Sequence, residues 1–116
     1  QYRLPLQERL RMASPCRAVG IAVHVRRRGN EDIRRDLERD MQFIETRAGV
    51  RRAGRVAARH LRMLMDQWLA DGLSSARISR RLRNLSWFFL CMGRPRLVPD
   101  FRRTLTGLGT TNRKEG

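Results

Sequence analysis

Between Ile33 and Met92 the apolar residues of this chain return every three or four positions, and glycines at 49, 72 and 93 divide that pattern into three blocks. Such spacing gathers apolar side chains on one face of a helix, whereas a strand would need strict alternation. The fold class that follows is all-α: a small bundle of three to four helices, with the N-terminal segment left uncertain.

The first block opens at Asn30, a residue suited to capping a helix, and carries Glu31 and Asp32 in the first turn, where the helix dipole favours acids. Ile33, Leu37, Met41 and Ile44 form its apolar face, and Gly49 is its expected stop. Six of the chain's eleven acids fall in this block, so its outer face is expected to repel a phosphate about as much as attract it. The second block reads as a helix over residues 50–70, with Ala53, Ala57, Leu61, Leu64 and Trp68 on one stripe and Gly72 as its stop. At about 100° per residue, Arg51, Arg52, Arg55, Arg59 and Arg62 gather on the opposite side, with no acid before Asp66. A stripe of this kind is either a solvated surface or a phosphate-binding face. The missing glutamates favour the second, because surface helices usually pair their arginines.

The third block reads as a helix over residues 76–92, capped by the Ser74-Ser75 pair and closed by Gly93 with Pro95 beyond. Ile78, Leu82, Leu85, Phe89 and Met92 make its buried seam, with Phe88 beside them in the core. Arg77, Arg80, Arg83 and Asn84 lie off the seam, and Trp87 points nearly opposite to it. Three readings of Trp87 stay open: packing against the N-terminal segment, contact with a partner protein or further domain, and contact with nucleic acid.

The flanks are less legible. Pro5 and Ser14-Pro15 break up residues 1–30, and the short apolar stretch from Ala18 to Val25 suits a strand that has nothing to pair with. The expected division is therefore a poorly defined segment 1–30, a helical domain 31–100 and a Gly/Thr-rich linker or disordered tail 101–116. The chain opens on Gln1 rather than Met, which fits a fragment boundary.

The partner class comes from charge: 26 basic against 11 acidic residues give +15, a surplus that opposes compaction until a polyanion neutralises it. Lys114 is the sole lysine. The arginine bias suits bidentate phosphate and guanine contacts, and equally a biased coding composition. Cys16 and Cys91 have no CxxC partners and stand far from His24 and His60, so neither a metal site nor a cofactor is expected. Two lone cysteines, no apolar run of membrane length and no signal-peptide core point to a cytoplasmic protein without a membrane partner.

The stretch HLRMLMDQWLADGLSSARISRRLRNLSWFFLCMGRPRLVPD, residues 60–100, resembles the second half of the N-terminal SAM-like core-binding domain of tyrosine recombinases, the phage-type integrases. The residues that carry this are Trp68, then Asp71-Gly72-Leu73-Ser74-Ser75, Ile78, Arg81-Leu82, Leu85, the aromatics at 87–89, Gly93, Pro95 and Val98-Pro99. The likeness covers about a third of the chain closely and extends more loosely back to Asn30. It implies one half of a clamp around double-stranded DNA whose other half is a separate catalytic domain, with that domain or other recombinase protomers as protein partners. By motif the DNA-binding role falls on Ser75, Arg77, Arg80, Arg81 and Arg83; Arg55, Arg59 and Arg62 join through the basic stripe alone. The family's catalysis needs a tyrosine nucleophile in a following domain, and the sole tyrosine here is Tyr2. His24-Val25-Arg26-Arg27 matches an H-x-x-R string, but it precedes the matching region, and an arginine-rich chain produces such strings by chance.

The expected function is thus a DNA-binding module that does not itself exchange strands. The alternative is a small arginine-rich helical RNA-binding or ribosome-associated protein, and a third class is a bundle that binds other proteins. No Ser/His/Asp or Cys/His set, paired-carboxylate site or phosphate-binding glycine loop argues for an enzyme.

Overall fold

A computed structural model describes residues 4–26 and 31–105, and all of its regular structure is helical. In chain order the elements are α1 (Leu6–Met12), α2 (Pro15–Arg26), α3 (Glu31–Arg47), a single 3-10 turn (Ala53–Arg55), α4 (Ala58–Ala70), α5 (Ser75–Cys91) and α6, residues 97–105. The all-α bundle expected from the periodicity is what forms. Asn30, the expected cap of α3, lies outside the described residues. No helix among those described is long and apolar enough to cross a membrane.

The helix stops follow the glycines. Gly72 and Gly93 take φ of 79° and 78°, a left-handed backbone that costs glycine little. At the end of α4, Leu73 N–H returns to Trp68 O and Gly72 N–H to Leu69 O, both at 3.0 Å, so two end carbonyls are satisfied and the chain turns sharply. The end of α5 repeats the pattern, with Arg94 N–H on Phe89 O and Gly93 N–H on Leu90 O. Ser74 caps α5 as expected, its Oγ accepting from Arg77 N–H.

The N-terminal residues depart from expectation. Ser14-Pro15 is a helix start rather than a break: Pro15 occupies the first turn, where its missing N–H costs nothing, and Ser14 Oγ accepts from Arg17 N–H. Residues 18–25, whose composition suits a strand but which have no strand to pair with, continue α2. Ala18, Val19 and Ala22 are fully buried, and these small side chains let α2 lie closely along α3. The two helices run antiparallel, with Cys16 N–H at the start of α2 donating to Glu45 Oε1 near the end of α3 at 2.8 Å. Residue 30 is therefore not a packing boundary, because Leu10 and the α2 face belong to the same core as Leu37, Met41, Ile44, Leu61, Leu85, Phe88 and Phe89. The Phe88 and Phe89 rings meet at 5.2 Å and 58° at its centre.

Two further boundaries move. The helix expected over 50–70 begins only at Ala58, because Gly49 turns left-handed at φ 70° and Arg52, Val56 and Ala57 are extended. The intervening chain is held elsewhere: Ala53 N–H donates to Ala13 O at 2.8 Å, and Gly54 sits where a Cβ would lie 3.0 Å from Arg11 Cβ. His60 Nδ1 then accepts from Ala57 N–H and closes the first turn of α4. At the other end, residues 97–105 are helical rather than a linker, with Val98 and Phe101 buried in the core. Pro99 is tolerated there because it falls in the first turn. The tail beyond 105 lies outside the described residues.

Two arginines tie these pieces together. Arg11 donates to Met92 O at 2.8 Å and to Gly93 O at 3.4 Å, and Arg94 donates to Gly54 O and Val56 O. The Arg11 guanidinium is well placed there, since the C-terminal end of α5 carries that helix's negative pole.

Candidate nucleic-acid interface

The first turns of α5 face the N-terminal half of α3 across a polar groove of about 360 Å³, lined by Asp32, Arg35, Asp36, Arg39, Leu73, Arg77, Arg80 and Arg81. The spacing explains the convergence. Residues 32, 35, 36 and 39 make one ridge of α3, and 77, 80 and 81 one ridge of α5, each at three-to-four spacing. Arg77, Arg80, Arg35 and Arg39 are exposed, and Ser75 is exposed beside them at the helix start.

Arg81 behaves differently from its neighbours. Its side chain is 11% exposed, and Nη1 lies 2.8 Å from Asp40 Oδ1 while Nη2 lies 3.6 Å from Asp36. Trp68 Nε1 donates to the same Asp40 oxygen at 3.1 Å, and the Arg81 guanidinium stacks 5.8 Å from the Trp68 ring centre. Asp40 is almost fully buried, and its second oxygen has no hydrogen-bond partner. Burial pushes the Asp40 carboxyl up to about 7, against the pull of Arg81 and the Trp68 N–H, with Asp36 adding repulsion. Arg81 is thus a structural cation joining α3, α4 and α5, and the phosphate-contact role expected of it does not fit its position. Asn84, expected off the apolar seam, is also buried, and its amide nitrogen has no partner.

The remaining arginines decide the character of the groove. Arg35 pairs with Asp32 at 3.6 Å on the surface, while Arg39, Arg77 and Arg80 have no ion pair among the described residues. Three groove-facing arginines are left for an anion. The sequence reading missed Arg35 and Arg39 because it averaged the charge of the whole first helix. Their four-residue separation, about half a turn from Leu37, was the available signal.

The other expected residues are dispersed. Arg55 stands on the 3-10 turn, which Arg94 braces from the far end of α5, so it is separated from Arg77 by roughly the 25 Å length of that helix. Arg51, Arg52 and Arg55 precede α4, so the single helical stripe of five arginines does not form. Arg59 and Arg62 stand exposed on α4, and Arg62 meets Asp66 at 3.7 Å.

Arg83 belongs to the next part of the α5 surface. Within about 60° of Arg80 and Arg83 comes Trp87, some 10 Å further along the helix. There a second groove of about 630 Å³ opens between α5 and α6, lined by Arg83, Ser86, Trp87, Leu90, Val98, Pro99 and Arg102. Trp87 is half-buried and lines this groove beside Val98, Pro99 and Arg102 of α6. Arg102 went unnoticed because the prolines made its helix look like a linker, although Val98, Phe101 and Leu105 keep the three-and-four spacing.

Neither thiol offers a second chemistry. Cys91 is buried, and burial together with the nearby Glu45 pushes the Cys16 thiol up to about 11. Comparison with protein-family models, with curated proteins and with solved structures gives no match.

Proposed function

We propose that this chain is a duplex-DNA-binding module that seats backbone phosphates on the outer surface of α5 and against α3, without exchanging strands itself. The observation that carries the reading is the convergence of Arg39, Arg77 and Arg80 from two helices in one groove, continued by exposed Arg83, with no carboxylate among the described residues pairing any of them. Guanidinium groups in this setting give charge-assisted, often bidentate contacts to phosphate oxygens and release counterions from the duplex. The resemblance of residues 60–100 to a recombinase core-binding domain supports the same reading and gives it a context: one arm of a clamp, with a catalytic domain or further protomers as partners.

The test is fluorescence anisotropy with duplex DNA across a salt series, with structured RNA as competitor. About four phosphate contacts predict a slope of log affinity against log salt near −3.6, at roughly −0.9 per contact. A flat salt dependence would remove the groove as the binding surface. RNA binding as tight as duplex binding would establish the arginine-rich ribonucleoprotein reading instead.

A further inference from the structure

We infer that the connection between α3 and α4 is a second phosphate-binding surface, which takes the backbone of a further duplex, so that one copy of the protein holds two DNA segments. Its being second rests on the duplex reading of the groove between α3 and α5; the chemistry of the connection stands apart from that reading. Between Glu45 and Asp66 the chain has six arginines and no acid. Arg47 lies 5.7 Å over the Phe43 ring and Arg62 meets Asp66 at 3.7 Å. That leaves Arg51, Arg52, Arg55 and Arg59 exposed, with no ion pair among the described residues.

The connection is held from within. Val50, Ala53 and Val56 are buried in the core, Ala53 N–H donates to Ala13 O, and Arg94 donates to Gly54 O and Val56 O. Residues 51, 52 and 55 are the ones left outside between these anchors, so their backbone is already ordered when an anion arrives. The composition of the surface decides its partner. No exposed side chain from Thr46 to Arg59 is a large apolar one. A protein interface draws its affinity from apolar or aromatic anchors, whereas a phosphodiester backbone is held by cations alone.

Position favours a further duplex over an extension of the first. The connection lies at the C-terminal end of α5, where Arg94 reaches it, roughly 25 Å from Arg77. The chain between the two surfaces is α4 and its end, which expose Asp66, Leu69 and Asp71. A duplex laid along it would bring phosphates onto two carboxylates and an aliphatic side chain. Charges are screened over about 8 Å at physiological salt, so the two surfaces act independently. The arginines of the connection come from one outward-turned segment rather than from two facing helices, so this surface fills after the groove.

The experiment mixes a donor-labelled and an acceptor-labelled blunt duplex and follows energy transfer as protein is added at physiological salt. Transfer should rise, then fall when excess protein gives each duplex its own copy. Arg51→Ala with Arg55→Ala should raise the protein concentration that transfer needs about ten-fold or more and lower the salt slope of that step by about 1.8. The same variant should keep single-duplex affinity, by anisotropy, within about two-fold of wild type, and its circular dichroism should be unchanged. Arg17→Ala with Arg26→Ala removes equal charge from α2 and should alter neither measurement. Absence of transfer, transfer that survives in the variant of the connection, or an equal loss in the α2 variant would overturn the inference. Loss of single-duplex affinity both there and in Arg77→Ala with Arg80→Ala would also overturn it, by placing one duplex across both surfaces. If the variant of the connection alone loses that affinity, the proposed function fails and the connection stands as the phosphate-binding surface.

Discussion

The guanidinium of Arg81 sits 2.8 Å from the carboxylate of Asp40, in a place where neither group has open access to water. Removing one member of such a pair strands the other, which is worth more than the pair contributes over an apolar replacement. Arg81→Ala should therefore destabilise the protein by about 3 kcal/mol at pH 8, measured by urea unfolding. The loss should shrink at pH 5, where the abandoned carboxyl takes up a proton. An equal loss at both values would mean that Asp40 is not the group left behind.

Asp40 also sets an unusual pH trend. Its carboxyl is raised from an ordinary 3.8 to about 7 in the folded protein, so between those values the folded state holds a proton that the unfolded chain has already released. Its contribution to stability accordingly falls as pH rises from about 4 to about 7, the reverse of the usual carboxylate. Asp40→Asn should flatten this slope. The check is the difference in urea midpoint between wild type and variant at pH 4.5 and 7.5, which should change sign or narrow in that direction.

Arg77→Ala with Arg80→Ala should weaken duplex binding by roughly 10- to 100-fold and reduce the salt slope by about 2, with the helical circular dichroism unchanged. Arg55→Ala should leave both nearly as they were. A larger effect from Arg55 would move the DNA surface to the opposite end of α5.

Gly54 is needed for want of a side chain rather than for its backbone angle. A Cβ there would meet Arg11 Cβ at 3.0 Å and Arg11 O at 3.2 Å, and a carbonyl in an anchored helix yields little. Gly54→Ala should cost about 1–3 kcal/mol in thermal or urea unfolding, with duplex affinity unaffected in the folded fraction.

What was legible in the sequence divides along physical lines. The limits of α5 were visible because a serine cap and a left-handed glycine are local signals, complete within four residues. The start of α4 was not, since Ala53 and Ala57 hold helical spacing while the chain around them is extended and tied to α1, and no local signal announces a contact forty residues away. Ser14-Pro15 was ambiguous because the same pair ends one element and begins another. In the candidate site, Arg77 and Arg80 could be found from their ridge, but Arg81 could not be told from them on α5 alone. The clue lay on α3, where Asp40 falls between Leu37 and Met41 on the apolar seam. A carboxylate in that position requires a buried cation from elsewhere.

The Arg11 contacts bear on how the chain comes to be folded at all. Its partners at the end of α5 lie 81 and 82 positions downstream, so although α1 can meet residues 53–55 earlier, this fastening forms only after α5 has been synthesised. The contact between α1 and the end of α5 is thus a late, non-local event. Folding of this domain should be slow for a helical protein of its size, and a nascent chain halted before residue 93 should remain vulnerable to proteases even though most of its helices are already encoded.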